Sequence, residues 1–158
     1  MKHSKTTIIL TILISIALFA MGLFTFDRLF EIILPKVDGG FYQAIELGRQ
    51  FRTTLLLSLA LGLTPFFILL TWRRSPIISK SKKLASVLTI IVCMALAIIV
   101  RQQILKSYFT GLTKNLTSTV DKINVSYPLD QVNFEYYLFG GLIVGCFISY
   151  FLFRLKRI

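Results

Sequence analysis

Four stretches of the chain are apolar almost without interruption, and polar segments separate them. They run from Thr6 to Phe26, Thr53 to Trp72, Leu84 to Leu105 and Tyr136 to Phe153. A helix needs about 20 apolar residues to cross a hydrocarbon core of about 30 Å. Each stretch comes close to that length, so the pattern predicts four transmembrane helices.

Two longer segments, residues 27–52 and 106–135, keep a helical periodicity outside the spans. Apolar residues recur in them at spacings of three and four, while Asp27 and Glu31 take the opposite face. This predicts amphipathic helices outside the membrane, including a short helix over residues 41–50. Their apolar faces would cover the bundle, pack into a small lobe or contact a partner protein. The residues that a partner would contact are Phe30, Ile33, Leu34, Phe109, Leu112, Leu116 and Val120.

Small residues recur at every fourth position on the spans, most clearly at Gly141, Gly145 and Ser149. Helices in lipid gain little from hydrophobic burial, so close backbone contacts hold them together, and small side chains permit that approach. We therefore expect the Gly141 stripe to pack within this chain, on span one or span three. Packing on another subunit is the alternative. A matching stripe on span three consists of Ala85, Thr89, Cys93 and Ala97.

These patterns predict an all-α integral membrane protein with four transmembrane helices in an antiparallel bundle and amphipathic extracytoplasmic helices. The chain would form one membrane domain over residues 1–158, because no segment is long enough for a separate soluble domain. The segment over residues 73–83 is short, so spans two and three are expected to be neighbours.

The charges are distributed unequally between the two sides of this topology. The formal net charge is +11, yet all seven acidic residues lie on the side of segments 27–52 and 106–135. Basic loops stay in the cytoplasm, so the opposite side, with both termini, is predicted to be cytoplasmic. The positive charge thus reflects topology and does not indicate nucleic-acid binding, although this face could hold anionic lipid headgroups. Its basic residues are Lys2, Lys5, Arg73, Arg74, Lys80, Lys82, Lys83, Arg154, Lys156 and Arg157.

Arg101 follows Ala97 by four residues and continues the small stripe of span three. It should therefore lie among the helices near the outer surface. A guanidinium at that depth is stabilised by a carboxylate. Glu135, Asp27 and Glu31 lie at a similar depth, and we expect Arg101 to form a buried ion pair with one of them. In the alternative arrangement its side chain extends to the lipid headgroups.

The spans lack the residue types that catalysis or metal binding requires. His3 is the single histidine and lies near the N-terminus, no acid falls in the middle of a span, and Cys93 and Cys146 are the two cysteines. No nucleophile with a base, and no set of metal ligands, can be assembled from these residues. We therefore expect no catalytic site, no cofactor and no metal.

These features favour a non-catalytic accessory or assembly subunit of a larger membrane complex. Its partners would be other membrane protein subunits and the lipid bilayer, and the lack of cysteine outside the spans fits a bacterial inner membrane. One alternative is a small homo-oligomeric channel or transporter. Another is an enzyme that acts on lipid through Asp38, Glu46 or Asp130. The polar residues that would line a shared pore are Thr7, Thr11, Ser15, Thr54 and Ser58.

Overall fold

A computed structural model describes residues 5–34, 40–43, 47–74, 79–117, 125–128 and 132–154 of the chain. Within these ranges the structure consists of four long helices and two short strands. The helices are α1 (Lys5–Ile33), α2 (Leu47–Arg74), α3 (Lys80–Thr117) and α4 (Phe134–Arg154), and the strands are β1 (Gly40–Gln43) and β2 (Val125–Pro128).

All four of these helices are long and apolar enough to cross a membrane. The stretches that meet this criterion contain or closely match the four apolar stretches of the sequence. The structure thus confirms the prediction of a helical protein with four helices of membrane-spanning length, as expected for a multi-pass membrane protein. The spanning stretches are Lys5–Arg28, Gln50–Arg74, Lys80–Leu112 and Phe134–Phe153.

Helices α1 and α3 continue well beyond the predicted spans. α1 ends at Ile33, so the amphipathic segment that follows the first span is part of the same helix. α3 contains 38 residues, which gives a length of about 57 Å at 1.5 Å per residue, against about 30 Å for the hydrocarbon core. A large part of α3 therefore lies outside the hydrocarbon core.

Strands β1 and β2 pair with each other and so link the segment between α1 and α2 to the segment between α3 and α4. They pair in parallel, with Gly40 opposite Val125 and Gln43 opposite Pro128. β1 lies between α1 and α2, and β2 lies between α3 and α4. Because the strands pair, both segments lie at the same end of the helices, which is the end predicted to face away from the cytoplasm.

The prediction of a helix over residues 41–50 is wrong for its first residues. Residues 41–43 belong to strand β1, and α2 begins at Leu47. A short apolar run fits a strand as well as a helix. Aromatic residues such as Phe41 and Tyr42 favour a strand where a partner segment is available to pair with. The partner is β2, which is 85 positions further along the chain at Val125, opposite Gly40.

Helix α4 lies between α2 and α3. α1 packs against α2, α2 against α4, and α4 against α3, whereas α2 and α3 touch only sparsely. This differs from the prediction that spans two and three are close neighbours. A short connection brings two helix ends together, but the contact along their length depends on which faces allow close approach. The face of α4 that carries Gly141 and Gly145 allows the closest approach to α3.

The largest buried side chains lie at the ends of the helices near the strands, which are called the outer ends because they are predicted to face away from the cytoplasm. Phe109 of α3 and Phe134 of α4 are fully buried, and Phe26 of α1 and Leu105 of α3 belong to the same buried cluster. Where these rings lie outside the hydrocarbon core, water is the competing solvent. Burial of each such side chain then contributes about 1.5–3 kcal/mol through the hydrophobic effect.

This cluster includes several side chains that were predicted to face a partner. Phe109 is fully buried, and Ile33, Leu34 and Leu112 pack against the cluster from its edge. The partner-facing prediction is therefore wrong for Phe109, whereas Ile33, Leu34 and Leu112 are only partly buried, and contact with a partner stays a prediction for them. The other three predicted contacts have side chains outside the part that the structure describes: Phe30, Leu116 and Val120.

Candidate functional site

Glu135 is an acidic residue buried at the outer end of the helices. It lies in the first turn of α4, and only 4% of its surface is exposed. Asn133, just before the helix, has a φ of 50°, a conformation that asparagine adopts more readily than most residues. The fully buried Val132 and Phe134 flank this turn, and they carry the start of α4 into the core. An acid in the first turn is also favoured by the helix dipole.

Arg101 joins α3 to the start of α4. Its Nε donates a hydrogen bond to the carbonyl oxygen of Val132 over 2.9 Å. Its guanidinium carbon lies 5.2 Å from the centre of the Tyr137 ring. Both contacts depend on the flat guanidinium, which offers directed N–H groups at its edge and a cationic face for an aromatic ring.

Arg52 joins α2 to the same turn of α4. Its Nη2 donates a hydrogen bond to the Tyr136 hydroxyl over 2.8 Å. Arg52 and Arg101 both lie close enough to Glu135 to stabilise its negative charge. We define Arg52, Arg101, Glu135, Tyr136 and Tyr137 as the outer polar cluster.

The structure brings Arg101 close to one of its three predicted acidic partners. The charge of Arg101 acts on Glu135, whereas Asp27 and Glu31 are exposed on α1. Glu135 Oε2 is buried and has no hydrogen-bond partner among the described residues, and the charges of Arg52 and Arg101 offset only part of the cost of burying this carboxyl group. The sequence reasoning missed Arg52 as a partner of Glu135. The sequence indicates such a role only through the position of Arg52, which directly precedes the second span at its outer end.

The outer polar cluster is suited to holding three helices at one depth. Arg52 comes from α2, Arg101 from α3 and Glu135 from α4. Both arginines donate hydrogen bonds to groups on or just before α4. Removal of one arginine from this cluster leaves the buried Glu135 carboxyl with less compensation, which lowers stability.

The glycine stripe of α4 packs within the chain, against α3. A Cβ atom built on Gly141 would lie 2.8 Å from the carbonyl oxygen of Cys93 and 2.8 Å from Cα of Met94. A Cβ atom built on Gly145 would lie 2.9 Å from Cα of Ile90. Side chains in proteins do not approach backbone atoms so closely, so the observed helix separation requires glycine at both positions.

The surface of α3 that meets α4 differs from the predicted stripe near its inner end. Ser149 lies 2.6 Å from Ser86, oxygen to oxygen, whereas Ala85 is exposed and Thr89 donates its hydroxyl to the carbonyl of Ala85. A strict four-residue repeat turns by about 40° around the helix at each step, because one turn contains 3.6 residues. The contacting face instead follows the helical period, through Ser86, Ile90, Cys93 and Ala97.

Two further glycines bring α1 close to α2. A Cβ atom on Gly22 would lie 2.9 Å from both Cα and Oγ of Ser58, and one on Gly62 would lie 2.9 Å from Cβ of Phe19. Gly22 belongs to no predicted stripe. Its signal in the sequence is only that of a single glycine within an apolar helix, which often marks a close packing contact.

Of the hydroxyl residues considered as a pore lining, Ser15 and Ser58 lie at the contact between α1 and α2. Ser58 is fully buried and donates its hydroxyl to the carbonyl of Thr54. Thr11 and Thr54 donate to carbonyls one turn earlier in their own helices, and Thr7 and Ser15 are partly buried. Three of these hydroxyls are therefore satisfied within single helices.

The acidic residues considered for lipid chemistry fall outside the described residues. This applies to Asp38, Glu46 and Asp130, and also to His3. In the described ranges, no group of three or more histidine, cysteine, aspartate or glutamate side chains could hold a metal ion.

Comparison with known proteins gives a family without an activity. No curated protein and no solved structure matches the chain. A family model matches residues 2–157, which is nearly the whole length of 158 residues. The chain therefore belongs to the family described as Protein of unknown function (DUF1275).

Proposed function

We propose that this protein is a non-catalytic accessory or assembly subunit of a larger complex in a bacterial inner membrane. The charged groups of its outer polar cluster are used in contacts between its own helices. Helix α1, in contrast, is attached to the rest of the chain along one face. It is the element best placed to bind another membrane protein.

The observation that carries the proposal is the small buried fraction of α1. Only 6% of its membrane-spanning window is buried within the chain, against 33% for α2. Ile9, Leu13 and Ile16 are 57%, 59% and 60% exposed. A helix that is held along one side can bind a second protein through the other sides without any change in the core.

Helix α1 is nonetheless fixed in position. Gly22 and Gly62 bring it against α2, and Phe26 near its outer end belongs to the buried cluster. A partner would therefore meet a helix of defined orientation, which reduces the entropy lost on binding. Membrane helices of different chains associate through the same kinds of close contact.

A homo-oligomeric channel would use the same exposed helix. It would require polar groups on a surface that several copies of the chain could share around one axis. The hydroxyls of Thr11, Thr54 and Ser58 are engaged within their own helices. We therefore favour a partner of different sequence over a second copy of this chain.

The orientation that we propose places both termini in the cytoplasm. In the described residues, the end of the helices opposite the strands carries Lys5, Arg73, Arg74, Lys80, Lys82 and Lys83 and no acid. Retention of basic segments in the cytoplasm supports this orientation.

Site-specific photo-cross-linking in native membranes tests the proposed role of α1. A benzophenone-bearing amino acid is introduced at Ile9 or at Ile16, both of which are exposed on α1. Leu88 of α3, which is 57% exposed, is a control position of the same chemistry. After irradiation we expect one discrete protein adduct at Ile9 and Ile16, and only lipid adducts at Leu88.

The mass of the adduct distinguishes the possible results. A reproducible second protein, identified by mass spectrometry and absent at Leu88, supports the subunit role. An adduct with twice the mass of the chain indicates a homo-oligomer and contradicts it. Lipid adducts alone at all three positions show that α1 faces the bilayer, and also contradict the proposal.

A further inference from the structure

A groove lies between α2 and α4 in the half of the membrane near the basic ends of the helices. Its volume is about 320 Å³. Phe67 and Leu70 of α2 and Ile143 and Phe147 of α4 line its length. All four side chains are apolar and lie within spanning stretches, so the groove offers a surface for an acyl chain.

One end of the groove carries a positive charge and a phenolic hydroxyl. Arg74 is the last residue of α2, and Tyr150 lies one turn before the end of α4. Both residues line the groove. Because α2 and α4 cross the membrane in the same direction, these two side chains lie together at the inner headgroup layer.

We infer that the groove binds an anionic phospholipid of the inner leaflet. One acyl chain lies along Phe67 and Phe147, and the phosphate lies beside Arg74. A guanidinium can donate two parallel N–H groups to a phosphate, and Tyr150 lines the same end of the groove. This inference is independent of the proposed role as a subunit, and its choice of the inner leaflet rests on the orientation proposed above.

The charge of the surrounding surface favours an anionic headgroup over a zwitterionic one. Arg73, Lys80, Lys82 and Lys83 lie at the same end of the helices as Arg74, and the described residues of this end include no acid. Such basic surfaces attract anionic lipids in general. The groove makes the attraction specific to one site, because it places one cation at the end of an apolar slot.

Small side chains form the floor of the groove. Thr71 is 6% exposed and donates its hydroxyl to the carbonyl of Phe67. Cys146 of α4 lies against Thr71, and both residues line the groove. Because the Thr71 hydroxyl is used within the helix, the floor is effectively apolar. A large side chain at position 146 would occupy the space of the acyl chain.

Native mass spectrometry can test the inference on the full chain, reconstituted in nanodiscs with equal amounts of phosphatidylglycerol and phosphatidylcholine. We expect the wild-type protein to retain phosphatidylglycerol in preference. Arg74→Gln should weaken that retention about five-fold, because one cation near the headgroup is lost. Arg73→Gln is the matched control, since it removes the same charge at the same end from a residue that does not line the groove.

A second pair of variants tests the acyl chain. Cys146→Phe fills the groove and should abolish retention of both lipids, whereas Cys146→Ala keeps the space and should retain them. Circular dichroism and the elution volume in detergent check that each variant folds. Inorganic phosphate at millimolar concentration should not displace the lipid, because the acyl chain holds it in the groove.

Three results would overturn the inference. Equal losses for Arg73→Gln and Arg74→Gln would mean that lipids bind only to the basic surface as a whole. Displacement by inorganic phosphate would indicate an anion site without a chain. Unchanged retention in a folded Cys146→Phe variant would place the acyl chain elsewhere. If Cys146→Phe does not fold, the comparison of the two arginine variants still decides.

Discussion

The hydroxyl oxygens of Ser86 on α3 and Ser149 on α4 lie 2.6 Å apart, and both side chains are fully buried. Each hydroxyl can donate one hydrogen bond and accept others, so one serine donates to the other across the helix contact. Gly145, one turn earlier on α4, is where the backbones of the two helices come close. The serine pair therefore fixes the register of α3 against α4, because a shift along either helix would break the bond.

Removal of this hydrogen bond should have a modest and coupled effect on stability. Ser86→Ala and Ser149→Ala each remove the bond, so the double variant should lose less than the sum of the two single losses. Hydrogen bonds between membrane helices have coupling energies of about 0.6 kcal/mol on average. The free energies of unfolding of the wild type, the two single variants and the double variant in mixed micelles give this coupling energy. A coupling of zero would show that the two hydroxyls do not stabilise the contact.

The next prediction concerns two adjacent glycines of α4 that differ in their surroundings. Gly141→Ala places a Cβ atom 2.8 Å from backbone atoms of α3, whereas a Cβ atom on Gly140 meets nothing within 4 Å. We expect Gly141→Ala to lower the free energy of unfolding by about 1–3 kcal/mol, the usual cost of overpacking. Denaturation in mixed micelles measures the loss.

Gly140→Ala is the control for this substitution. It brings the same change in helix propensity at the preceding position, without the steric conflict. It should leave the free energy of unfolding unchanged or slightly raised. Equal effects of the two variants would indicate that α4 and α3 are further apart than the structure places them.

The four spans could be predicted from the sequence because the length of an apolar stretch is a property of that segment alone. About 20 apolar residues predict a spanning helix whatever surrounds them. The same holds for Gly141 and Gly145, whose small size is visible without any partner. Which helix they meet is decided by tertiary packing. The sequence left span one and span three open, and the structure places both glycines against α3.

The errors have a common physical origin in contacts between distant segments. Residues 41–43 form a strand because β2 is beside them, and a local apolar pattern does not contain that information. Phe109 was predicted to face a partner because its helix has an apolar stripe, yet Phe109 itself is buried in this chain's own core. Ala85 was included through a strict four-residue spacing, although the helical period turns it away from α4.

A third prediction tests the charges of the outer polar cluster. Arg101→Leu removes the hydrogen bond to the Val132 carbonyl and one of the two positive charges that stabilise Glu135. We expect a loss of about 2–3 kcal/mol in the free energy of unfolding, because a buried carboxylate then has less compensation. Equilibrium unfolding in mixed micelles at neutral pH measures this loss in the free energy of unfolding.

Partial rescue by a second substitution separates charge from packing. Glu135→Gln removes the carboxylate charge, so adding it to Arg101→Leu should cost less than it costs in the wild-type background. Arg28→Leu is the control, since Arg28 is exposed on α1 and its loss should change stability little. Strict additivity of Arg101→Leu and Glu135→Gln would show that the two charges do not interact.

A fourth prediction concerns the orientation of the chain in the membrane. Ser107 lies on the outer part of α3 and Ser79 just before α3, and both are exposed. Ser107→Cys should react with a membrane-impermeant maleimide on intact spheroplasts, because the positive-inside rule predicts that this end of the helices faces outside. Ser79→Cys should react only after the membrane is permeabilised.

The wild-type protein, whose Cys93 and Cys146 lie within spans, is the control and should stay unlabelled. The reverse pattern would place both termini outside, and equal labelling of both variants in intact cells would contradict the four-span topology itself.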